Sequence, residues 1–375
     1  MKIRAAVLAA HGATAPYVAS QPLHLVELDL AAPQPGELLL RIDAAGVCHS
    51  DLSVVNGDRV RPIPMALGHE AVATVLGTGS APSEFAIGDR VVLAFLPACG
   101  RCERCAAGEG FLCPAAAAAN GRGELIGGGI RLSDGDTPVH HHLGVSAFAS
   151  HAVVDERSAV RIDADIPVEI AALFGCAVLT GVGAVVNSAA VRVGESVVVY
   201  GLGGVGLAAV LGALASGAEP VIAVDPVAAK RAIAAELGAT AVHPDDAAAT
   251  VARLTRGGAD VAVETVGRAT VLAEAYRVTR RGGRTVTVGL PNPAEMLTIP
   301  AVGLVGDGKT IIGSYMGAAI PRRDIPRYIA LWRAGRLPVE RLLTATRPLA
   351  EINAALDDLA RGDAVRQVML PDHGV

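Results

Sequence analysis

Aromatic side chains are scarce in this sequence: one Trp, five Tyr and five Phe make up 3% of 375 residues. Charged residues are also few, at 18%, and Asp plus Glu outnumber Lys plus Arg by 37 to 32, which gives a net charge of −5. Nucleic-acid binding needs a basic surface, commonly interleaved with aromatic rings. The sequence offers neither, so we expect no nucleic-acid partner.

Long uninterrupted apolar runs are missing as well. The 196–218 stretch has no charged residue, but six glycines divide it into a Val-rich strand, a turn and an Ala-rich helix, as an α/β core requires. We therefore expect no membrane partner. The apolar stretch after Arg4 is short and ends at His11, which favours a first strand over an export signal. The six cysteines are then expected to lie in the reducing cytoplasm, where cysteine clusters bind metal more often than they form disulfides.

The length predicts two domains, because a single hydrophobic core rarely serves 375 residues. Up to about residue 177, short apolar strands alternate with Gly/Pro turns, which is typical of a mainly β domain. From Ser196 onward strands and helices alternate, which predicts right-handed βαβ units and a parallel sheet. The low-complexity run Pro114–Ala119 and the Gly-rich stretch Gly121–Gly129 are expected to form an exposed loop.

A dinucleotide-binding motif follows the predicted strand 196–200. Its residues are Gly201, Leu202, Gly203, Gly204, Val205 and Gly206. Gly201 permits a tight turn, Gly203 lets the backbone approach a pyrophosphate, and Gly206 lets helix and strand pack closely. The acidic Asp225 ends the next predicted strand, where a carboxylate accepts hydrogen bonds from the ribose hydroxyls and repels a 2′-phosphate. The motif therefore predicts NAD rather than NADP.

Four cysteines are clustered within fifteen residues, at positions Cys99, Cys102, Cys105 and Cys113. Four thiolates at this spacing can close a tetrahedron around Zn²⁺ and leave no coordination position open. We expect this zinc to be structural and to hold the lobe 97–114, which has too few apolar residues to fold alone. Two disulfides, free thiols or an iron–sulfur cluster are the alternatives.

The remaining cysteines, Cys48 and Cys176, are far apart in sequence, and each alone is an ordinary buried thiol. Together with His69 they form a set of two thiolates and one imidazole, which holds Zn²⁺ with a fourth position open. An open zinc lowers the pKa of an alcohol, and this favours hydride transfer from the alcohol to a nicotinamide. The combination therefore predicts an oxidoreductase that interconverts an alcohol and its aldehyde or ketone.

These residues resemble the zinc-dependent medium-chain alcohol dehydrogenases over essentially the whole chain. The resemblance is carried by local motifs in both predicted domains: Gly46–Leu52, Gly68–Glu70, the four-cysteine lobe, Gly175–Cys176, Leu179–Gly181, Gly201–Gly206 with Asp225, and Asp363–Arg366. It implies that Cys48, His69 and Cys176 hold a catalytic zinc, that Asp51 and Glu70 support these ligands, and that Ser50 takes the alcohol proton. It also implies that a further set of residues contacts or lines the dinucleotide site: His49, Thr180, Val205, Lys230, Arg268 and Arg366.

The resemblance also implies an α/β architecture in which a Rossmann-type cofactor domain, 178–316, is inserted into a mainly β, GroES-like catalytic domain made of 1–177 and 317–375. The active-site cleft is expected between the domains. The long connection from Cys113 to His151 resembles the longer, mostly dimeric branch, so we expect a homodimer. One departure is Ser53, which stands where relatives often carry a histidine that passes the proton to solvent.

The substrate is expected to be a small-molecule alcohol or aldehyde, and the sequence does not identify it. The resemblance suggests pocket walls of mixed character: Phe95, His142, Leu143, Leu290 and Met316. The triplet His140–His142 is not expected to bind one metal, because neighbouring residues on a strand point to opposite faces, and we place it at the pocket lip or surface. One alternative activity is oxidation of a hydroxymethyl adduct of a low-molecular-weight thiol, and another is a catalytically silent nucleotide-binding protein, which the intact zinc set and Ser50 oppose.

Overall fold

The computed structural model of the protein describes residues 1–79 and 82–373, so the last two residues of the predicted segment 317–375 lie outside the described part. The chain divides into two compact units. The first comprises Met1–Cys176, Ile320–Pro326 and Leu343–Val375, and the second comprises Ala177–Ala319 and Arg327–Leu342.

The segment Arg327–Leu342 differs from the prediction, which assigns it to the catalytic domain. Its side chains Leu337, Val339 and Leu342 are buried, and the short 3-10 turn Val339–Leu342 packs on a helix of the second unit. Burial of these apolar side chains explains why the segment belongs to the second unit.

The strands fall into three groups along the chain. Those before residue 177 are β1 (Lys2–Leu8), β2 (Leu23–Leu30), β3 (Glu37–Val47), β4 (Met65–Ala66), β5 (Glu70–Thr78), β6 (Arg90–Leu93), β7 (Leu132–Asp134), β8 (Thr137–His141), β9 (His151–Asp155) and β10 (Ala159–Ile162). Those of the second unit are β11 (Val197–Tyr200), β12 (Val221–Val224), β13 (Thr240–Val242), β14 (Ala259–Glu264), β15 (Thr279–Thr287) and β16 (Thr310–Gly313). The last group, in the first unit, is β17 (Leu343–Pro348) and β18 (Arg366–Leu370).

The α-helices before residue 200 are mostly short: α1 (Tyr17–Ser20), α2 (His49–Val55), α3 (Glu103–Ala106), α4 (Pro114–Arg122), α5 (Val168–Ala171) and α6 (Ala177–Gly183). The later ones are α7 (Gly204–Ala215), α8 (Ala228–Glu236), α9 (Pro244–Leu254), α10 (Ala269–Val278), α11 (Ala301–Gly306), α12 (Pro321–Arg333) and α13 (Ile352–Arg361). Within the described residues no single helix is both long and apolar enough to cross a membrane, and Val168–Gly175 with Ala177–Ser188 meet these requirements only when counted together as a bent pair.

The first unit is mainly β, as predicted. A barrel closes in the order β1-β2-β7-β8-β4, and a sheet runs β10-β6-β5-β3-β18-β17, with β9 also paired to β3. Strand β3 supplies much of the core, because Leu38, Leu40 and Ile42 are fully buried. It pairs antiparallel with β5, and this pairing later positions the candidate site.

The predicted exposed loop at Pro114–Ala119 is wrong, because these residues form most of helix α4. Proline at the first helical position has the φ angle that a helix needs, and alanine has the highest helix propensity. The helix ends at Gly123, whose φ of 67° is accessible to glycine at little cost. Ala116 and Ala119 are buried, so one face of the helix packs on the protein.

The second unit contains the predicted parallel sheet, in the order β13-β12-β11-β14-β15-β16 with every pairing parallel. Strand β11 is a fully buried Val-Val-Val-Tyr sequence, as expected for a central strand with both faces covered. Strand β13 and helix α9 were not predicted. The helix start was recognisable from Pro244 at its first position, followed by Asp245 and Asp246, whereas a three-residue strand carries little periodicity.

Candidate active site

Cys48 and His69 meet because of strand pairing in the first unit. Cys48 follows β3 and His69 precedes β5, and the antiparallel register places Gly46 opposite Glu70. The end of one strand therefore lies beside the start of the other, and the residues just beyond each end come together. Gly68 has a φ of 90°, and a Cβ there would lie 2.4 Å from the backbone nitrogen of Phe148, so only glycine fits this approach to His69.

Cys176 reaches the same place through a short 3-10 turn, Ala172–Gly175, that precedes it. A Cβ on Gly175 would lie 2.4 Å from the carbonyl oxygen of Leu93, at the end of β6. Glycine therefore allows this turn to pack directly against β6, which pairs with β5. The ligand atoms of Cys48, His69 and Cys176 lie within 4.8 Å of one another, and all three residues are buried.

The imidazole of His69 is oriented by Asp51. Nδ1 of His69 lies 3.0 Å from Oδ1 of Asp51, and the other carboxylate oxygen accepts a 3.0 Å hydrogen bond from the backbone N–H of Cys48. With Nδ1 donating to the carboxylate, Nε2 carries the lone pair, and it is buried with no hydrogen-bond partner in the described residues. An unsatisfied imidazole nitrogen beside two thiols is a donor set that fits Zn²⁺.

Contacts within this set shift the pKa values of its members in opposite directions. Burial opposes ionisation of Asp51, but the imidazoles of His69 and His142 outweigh it and hold the pKa of Asp51 well below its usual value. The hydrogen bond with the Cys176 thiol lowers the pKa of Cys48 well below its usual range, and the same contact raises the pKa of Cys176. A divalent cation stabilises both as thiolates.

Glu70 and Arg366 form a buried ion pair through Oε2 and Nη2. A Cβ on Gly46 would lie 2.8 Å from Cδ of Glu70, so this glycine makes room for the carboxylate. The charge of Arg366 also contributes to lowering the pKa of Cys48, after the hydrogen bond with Cys176. The predicted contact of Arg366 with a pyrophosphate, and the supporting role of Glu70, stay predictions.

The four cysteines of the lobe come together as the spacing predicts. Their sulfur atoms lie within 4.8 Å of one another, with separations of 3.9 Å for Cys99–Cys105, 3.4 Å for Cys102–Cys105 and 3.9 Å for Cys102–Cys113. A tetrahedron with Zn–S bonds of about 2.3 Å has edges of about 3.8 Å, so the arrangement fits zinc. A backbone hydrogen bond from Arg101 lowers the pKa of Cys99 to about 6. None of the six cysteines, all within the described residues, forms a disulfide.

The glycine turn of the second unit has the geometry that the motif predicts. Gly201 has a φ of 87°, and a Cβ on Gly206 would lie 1.7 Å from the carbonyl oxygen of Gly201, so helix α7 can begin against the turn only with glycine there. A Cβ on Gly203 would meet nothing within 4 Å, which leaves the backbone open to a ligand. Asp225 lies beside the turn, with Oδ2 accepting a 2.8 Å hydrogen bond from the backbone N–H of Leu202.

Thr180 and Lys230, two further residues predicted to contact the cofactor, have different surroundings. Thr180 is buried, and its hydroxyl has no hydrogen-bond partner in the part of the chain that the structure describes. A Cβ on its neighbour Gly181 would lie 2.2 Å from the carbonyl oxygen of Val205, so α6 packs on the start of α7. Lys230 makes no hydrogen bond or ion pair within the described residues. Arg231, which was not predicted, donates instead to the carbonyl oxygens of Asp225 and Pro226 at 2.7 and 2.8 Å.

Arg268 and His49 are both exposed, Arg268 preceding α10 and His49 opening α2, and their predicted cofactor contacts stay predictions. Ser50 lies one residue further along α2, and its hydroxyl oxygen is 3.9 Å from the Cys48 sulfur. Ser53 donates a 2.7 Å hydrogen bond to the carbonyl oxygen of His49. Of the two hydroxyls, Ser50 is therefore the one beside a predicted zinc ligand.

Known protein families match both units of the chain. The family described as alcohol dehydrogenase GroES-like domain matches residues 34–164, and the family described as zinc-binding dehydrogenase matches residues 204–333. The NDMA-dependent alcohol dehydrogenase of Amycolatopsis methanolica is 39% identical over 377 residues, with 99% of each chain covered. The chain belongs to the zinc-dependent medium-chain alcohol dehydrogenase family.

Further relatives of this alcohol dehydrogenase have activities on different alcohols. The geraniol dehydrogenase of Castellaniella defragrans is 38% identical, covering 93% of this chain and 94% of its own. The solved benzyl alcohol dehydrogenase of Acinetobacter calcoaceticus has a TM-score of 0.92 at 31% identity, covering 99% of this chain and all of its own. The predicted oxidoreductase activity on small-molecule alcohols, the zinc dependence and the fold class are thereby confirmed.

The alcohol dehydrogenase buries part of its histidine triplet; His142 was also predicted as a pocket wall, and that role stays a prediction. The histidine triplet was assigned to the pocket lip or surface, but His141 and His142 are both buried. His142 has Nδ1 3.2 Å from Oδ1 of Asp51, and its ring centroid is 5.3 Å from that of His69. Burial lowers the pKa of His142. The triplet does not converge, since His141 accepts from the Arg131 N–H and His140 contacts the Arg122 carbonyl.

The predicted pocket walls are divided between the two units of the alcohol dehydrogenase. In the first unit the ring of Phe95 meets that of His69 edge-on with centroids 5.6 Å apart, and Leu143 directly follows His142. Leu290 and Met316 belong to the second unit, and their place in the pocket stays a prediction.

Proposed function

We propose that this alcohol dehydrogenase uses NAD as its hydride acceptor and holds it at the glycine turn of the second unit. The observation that carries the proposal is the position of Asp225. Its carboxylate is buried and bonded to the turn through Leu202 and to the next helix through the Val227 N–H at 2.8 Å. A negative charge fixed there favours ribose hydroxyls and disfavours a 2′-phosphate.

A cation near the same carboxylate is the main argument for NADP. Arg231 lies beside Asp225, and arginine at such a place can accommodate a 2′-phosphate. However, one of its terminal nitrogens already donates to two backbone carbonyl oxygens, whereas the Asp225 carboxylate retains further lone pairs for hydroxyl groups. The carboxylate therefore supports NAD more strongly than the guanidinium supports NADP.

The zinc-ligand set Cys48, His69 and Cys176 provides the other half of the proposed reaction. Zinc, when bound, is a Lewis acid that lowers the pKa of an alcohol, and NAD, when bound, accepts the hydride. Asp51 keeps His69 in the tautomer that presents Nε2 to the metal. Ser50, beside Cys48, is the hydroxyl that we assign to accept the alcohol proton and pass it on.

Steady-state kinetics with benzyl alcohol and each of NAD, NADP and NDMA tests the choice of acceptor, since one relative is named for its dependence on NDMA. We expect kcat/KM to be at least 100-fold higher with NAD than with NADP. Asp225→Asn, which removes the charge but keeps the shape, and Asp225→Gly should both narrow this ratio. Equal use of NAD and NADP, or turnover only when NDMA is added, would contradict the proposal.

The predicted homodimer also remains a proposal. Its support is β16, the last strand of the second unit's sheet, whose outer edge pairs with no other strand among the described residues and could pair with a second copy. Helix α11 next to it has no buried residue among Ala301–Gly306, and Val302 and Val305 are strongly exposed. Light scattering should give twice the mass of the chain, and the mass of a monomer or a tetramer would count against it. None of the six cysteines, all within the described residues, forms a disulfide, and this supports the proposed cytoplasmic location.

A further inference from the structure

Glu264 is a buried carboxylate at the carboxyl end of strand β14, and it is only 1% exposed. Oε1 accepts a 2.6 Å hydrogen bond from the backbone N–H of Gly267, and Oε2 accepts a 2.9 Å hydrogen bond from the hydroxyl of Thr287. The backbone carbonyl oxygen of Glu264 accepts from the N–H of Val288 at 2.8 Å. Glu264 therefore joins the segment that follows β14 to the end of β15.

That segment, residues 265–268, lies directly on the glycine turn. The hydroxyl of Thr265 donates to the carbonyl oxygens of Tyr200 and Gly201, at 3.0 and 2.9 Å. A Cβ on Gly201 would lie 2.7 Å from Cγ2 of Val266, so the turn and the segment are already in close contact. A displacement of the segment therefore changes the surroundings of the turn.

The same segment also contacts the residues that follow β15. A Cβ on Gly289 would lie 2.1 Å from the backbone nitrogen of Gly267, so glycine permits this close approach of two backbone segments. Strands β11, β14 and β15 are parallel neighbours, and dinucleotides bind outside the carboxyl ends of such strands. The segment 265–268 therefore lies at the edge of the sheet where the cofactor is expected, in contact with both the glycine turn and Gly289.

We propose that Glu264 is a positioning residue for the dinucleotide, and that its carboxylate holds the segment 265–268 against the glycine turn in the arrangement that binds the cofactor. The proposal rests on the proposed function, because it takes the glycine turn as the place where NAD is held. Glu264 acts through the segment, since it is buried and its two carboxylate oxygens accept from Gly267 and Thr287.

The proposed role needs hydrogen-bond acceptors at this place more than it needs a negative charge. Burial raises the pKa of Glu264, while backbone hydrogen bonds, the first of them from Gly267, act in the opposite direction. The carbonyl oxygen of a glutamine accepts from the Gly267 N–H, and its NH₂ group donates to the Thr287 hydroxyl, which accepts as well as donates. Methionine is of similar length but has only a weakly accepting sulfur, so the Gly267 N–H loses its partner.

Titration calorimetry with NADH measures cofactor binding without turnover. Glu264→Met should raise the dissociation constant of NADH about 10-fold, the factor that corresponds to the loss of one hydrogen bond to a charged group. Glu264→Gln should stay within about 2-fold of the wild type, because the amide keeps the acceptor for Gly267. In steady-state kinetics with benzyl alcohol, the effect of Glu264→Met should appear mainly in KM for NAD rather than in kcat.

Asp260 lies near the amino end of the same strand and provides the matched control. Its Oδ2 accepts from the backbone N–H and the hydroxyl of Ser196, at 2.8 and 2.6 Å, and its Oδ1 accepts from Nε of Arg280 at 2.6 Å. Asp260 thus joins β14 to the residue before β11 at the edge of the sheet opposite the glycine turn. Asp260→Leu should lower the melting temperature and leave the dissociation constant of NADH unchanged.

The outcomes separate a positioning role from a general loss of stability. Weaker NADH binding in Glu264→Met, normal binding in Asp260→Leu and recovery in Glu264→Gln support the proposal. Unchanged binding in Glu264→Met overturns it, and so does an equal loss in Glu264→Met and Asp260→Leu or a lack of recovery in Glu264→Gln.

A second variant covers the case in which Glu264→Met fails to fold. Glu264→Asp keeps the charge but shortens the side chain by one methylene, so the carboxylate no longer reaches Gly267, and it should weaken NADH binding in the same way. Normal NADH binding by a folded Glu264→Asp then overturns the proposal. A wild type that does not bind NADH contradicts the proposed function and this inference together, whereas a wild type that binds NADH as tightly as the Glu264 variants contradicts this inference alone.

Discussion

His69 and Asp51 are joined by a 3.0 Å contact between Nδ1 and Oδ1, with 1% and 0% of their side chains exposed. The same carboxylate accepts a hydrogen bond from the backbone N–H of Cys48, so Asp51 ties together two of the three predicted zinc ligands. Both contacts need oxygen acceptors, because an N–H faces each carboxylate oxygen. Both the negative charge of Asp51 and its two oxygen atoms therefore contribute to holding His69 and Cys48.

Asp51→Asn should weaken zinc binding at this site. The amide has one oxygen and one NH₂ group, so either the His69 N–H or the Cys48 N–H then faces a donor. Loss of a carboxylate that orients a metal-bound histidine commonly costs 10–100-fold in metal affinity, and we expect a weakening of about that size. Competition with a chelator measures it, and zinc in the four-cysteine lobe is the internal control. An unchanged affinity would show that Asp51 does not orient His69.

Removal of one ligand from each metal site should separate the two zinc ions. Elemental analysis of the wild type is expected to give two zinc ions per chain, and Cys176→Ala and Cys105→Ala should each give one. Only Cys105→Ala should lower the melting temperature strongly, because the lobe depends on its metal for folding. Retention of both ions in Cys176→Ala would remove Cys176 from the ligand set.

Ser50→Ala should lower kcat by about 10²- to 10⁴-fold, the usual contribution of a positioned proton acceptor. Zinc content should not change, because Ser50 is not a ligand in the proposed site. Ser53→Ala is the matched control: it removes a hydroxyl from the same helix, one that is bonded to the backbone carbonyl of His49. A nearly normal kcat in Ser50→Ala with full zinc would assign the proton to another acceptor.

Glu264→Gln should change the pH dependence of stability. Burial raises the pKa of Glu264 above its ordinary value of 4.5, although the Gly267 N–H and the Thr287 hydroxyl donate to its carboxylate. A carboxyl whose pKa is raised by folding stabilises the fold below about pH 4 and loses that contribution as pH rises through the raised pKa. Glutamine does not titrate, so the stability of the variant relative to that of the wild type should increase as the pH rises from 4 to 8.

Each kcal/mol of that gain corresponds to roughly 2–4 °C in melting temperature for a domain of this size. Differential scanning calorimetry of both proteins across the pH range measures the difference directly. A difference in melting temperature that stays constant with pH would show that Glu264 does not titrate with a raised pKa.

Features that depend on neighbouring residues in the chain were predictable from the sequence. Cys99 and Cys113 lie in one short segment, so the chain itself brings their sulfur atoms close whatever the rest of the fold does. The glycine turn that begins at Gly201 and the strand before it were predictable for the same reason, because a tight turn and a close helix–strand contact depend on residues near each other in the chain. Helix α4 was equally local but was missed, because composition suggested a loop although Pro114 and the alanines favour a helix.

Contacts between distant segments were settled only by the tertiary structure. His69 and Cys176 are more than one hundred residues apart, so their spacing gave no reason to place them in one site, and only the family resemblance did so. The antiparallel pairing of β3 with β5 and the packing of Gly175 on β6 bring them together. The ion pair of Glu70 with Arg366 and the approach of His142 to Asp51 carry no signal in the local sequence. The sequence by itself determined the turns and the metal-binding lobe, since these rest on local geometry. Tertiary structure decided which buried polar groups face each other, since that depends on strand register and on packing between segments remote in the chain.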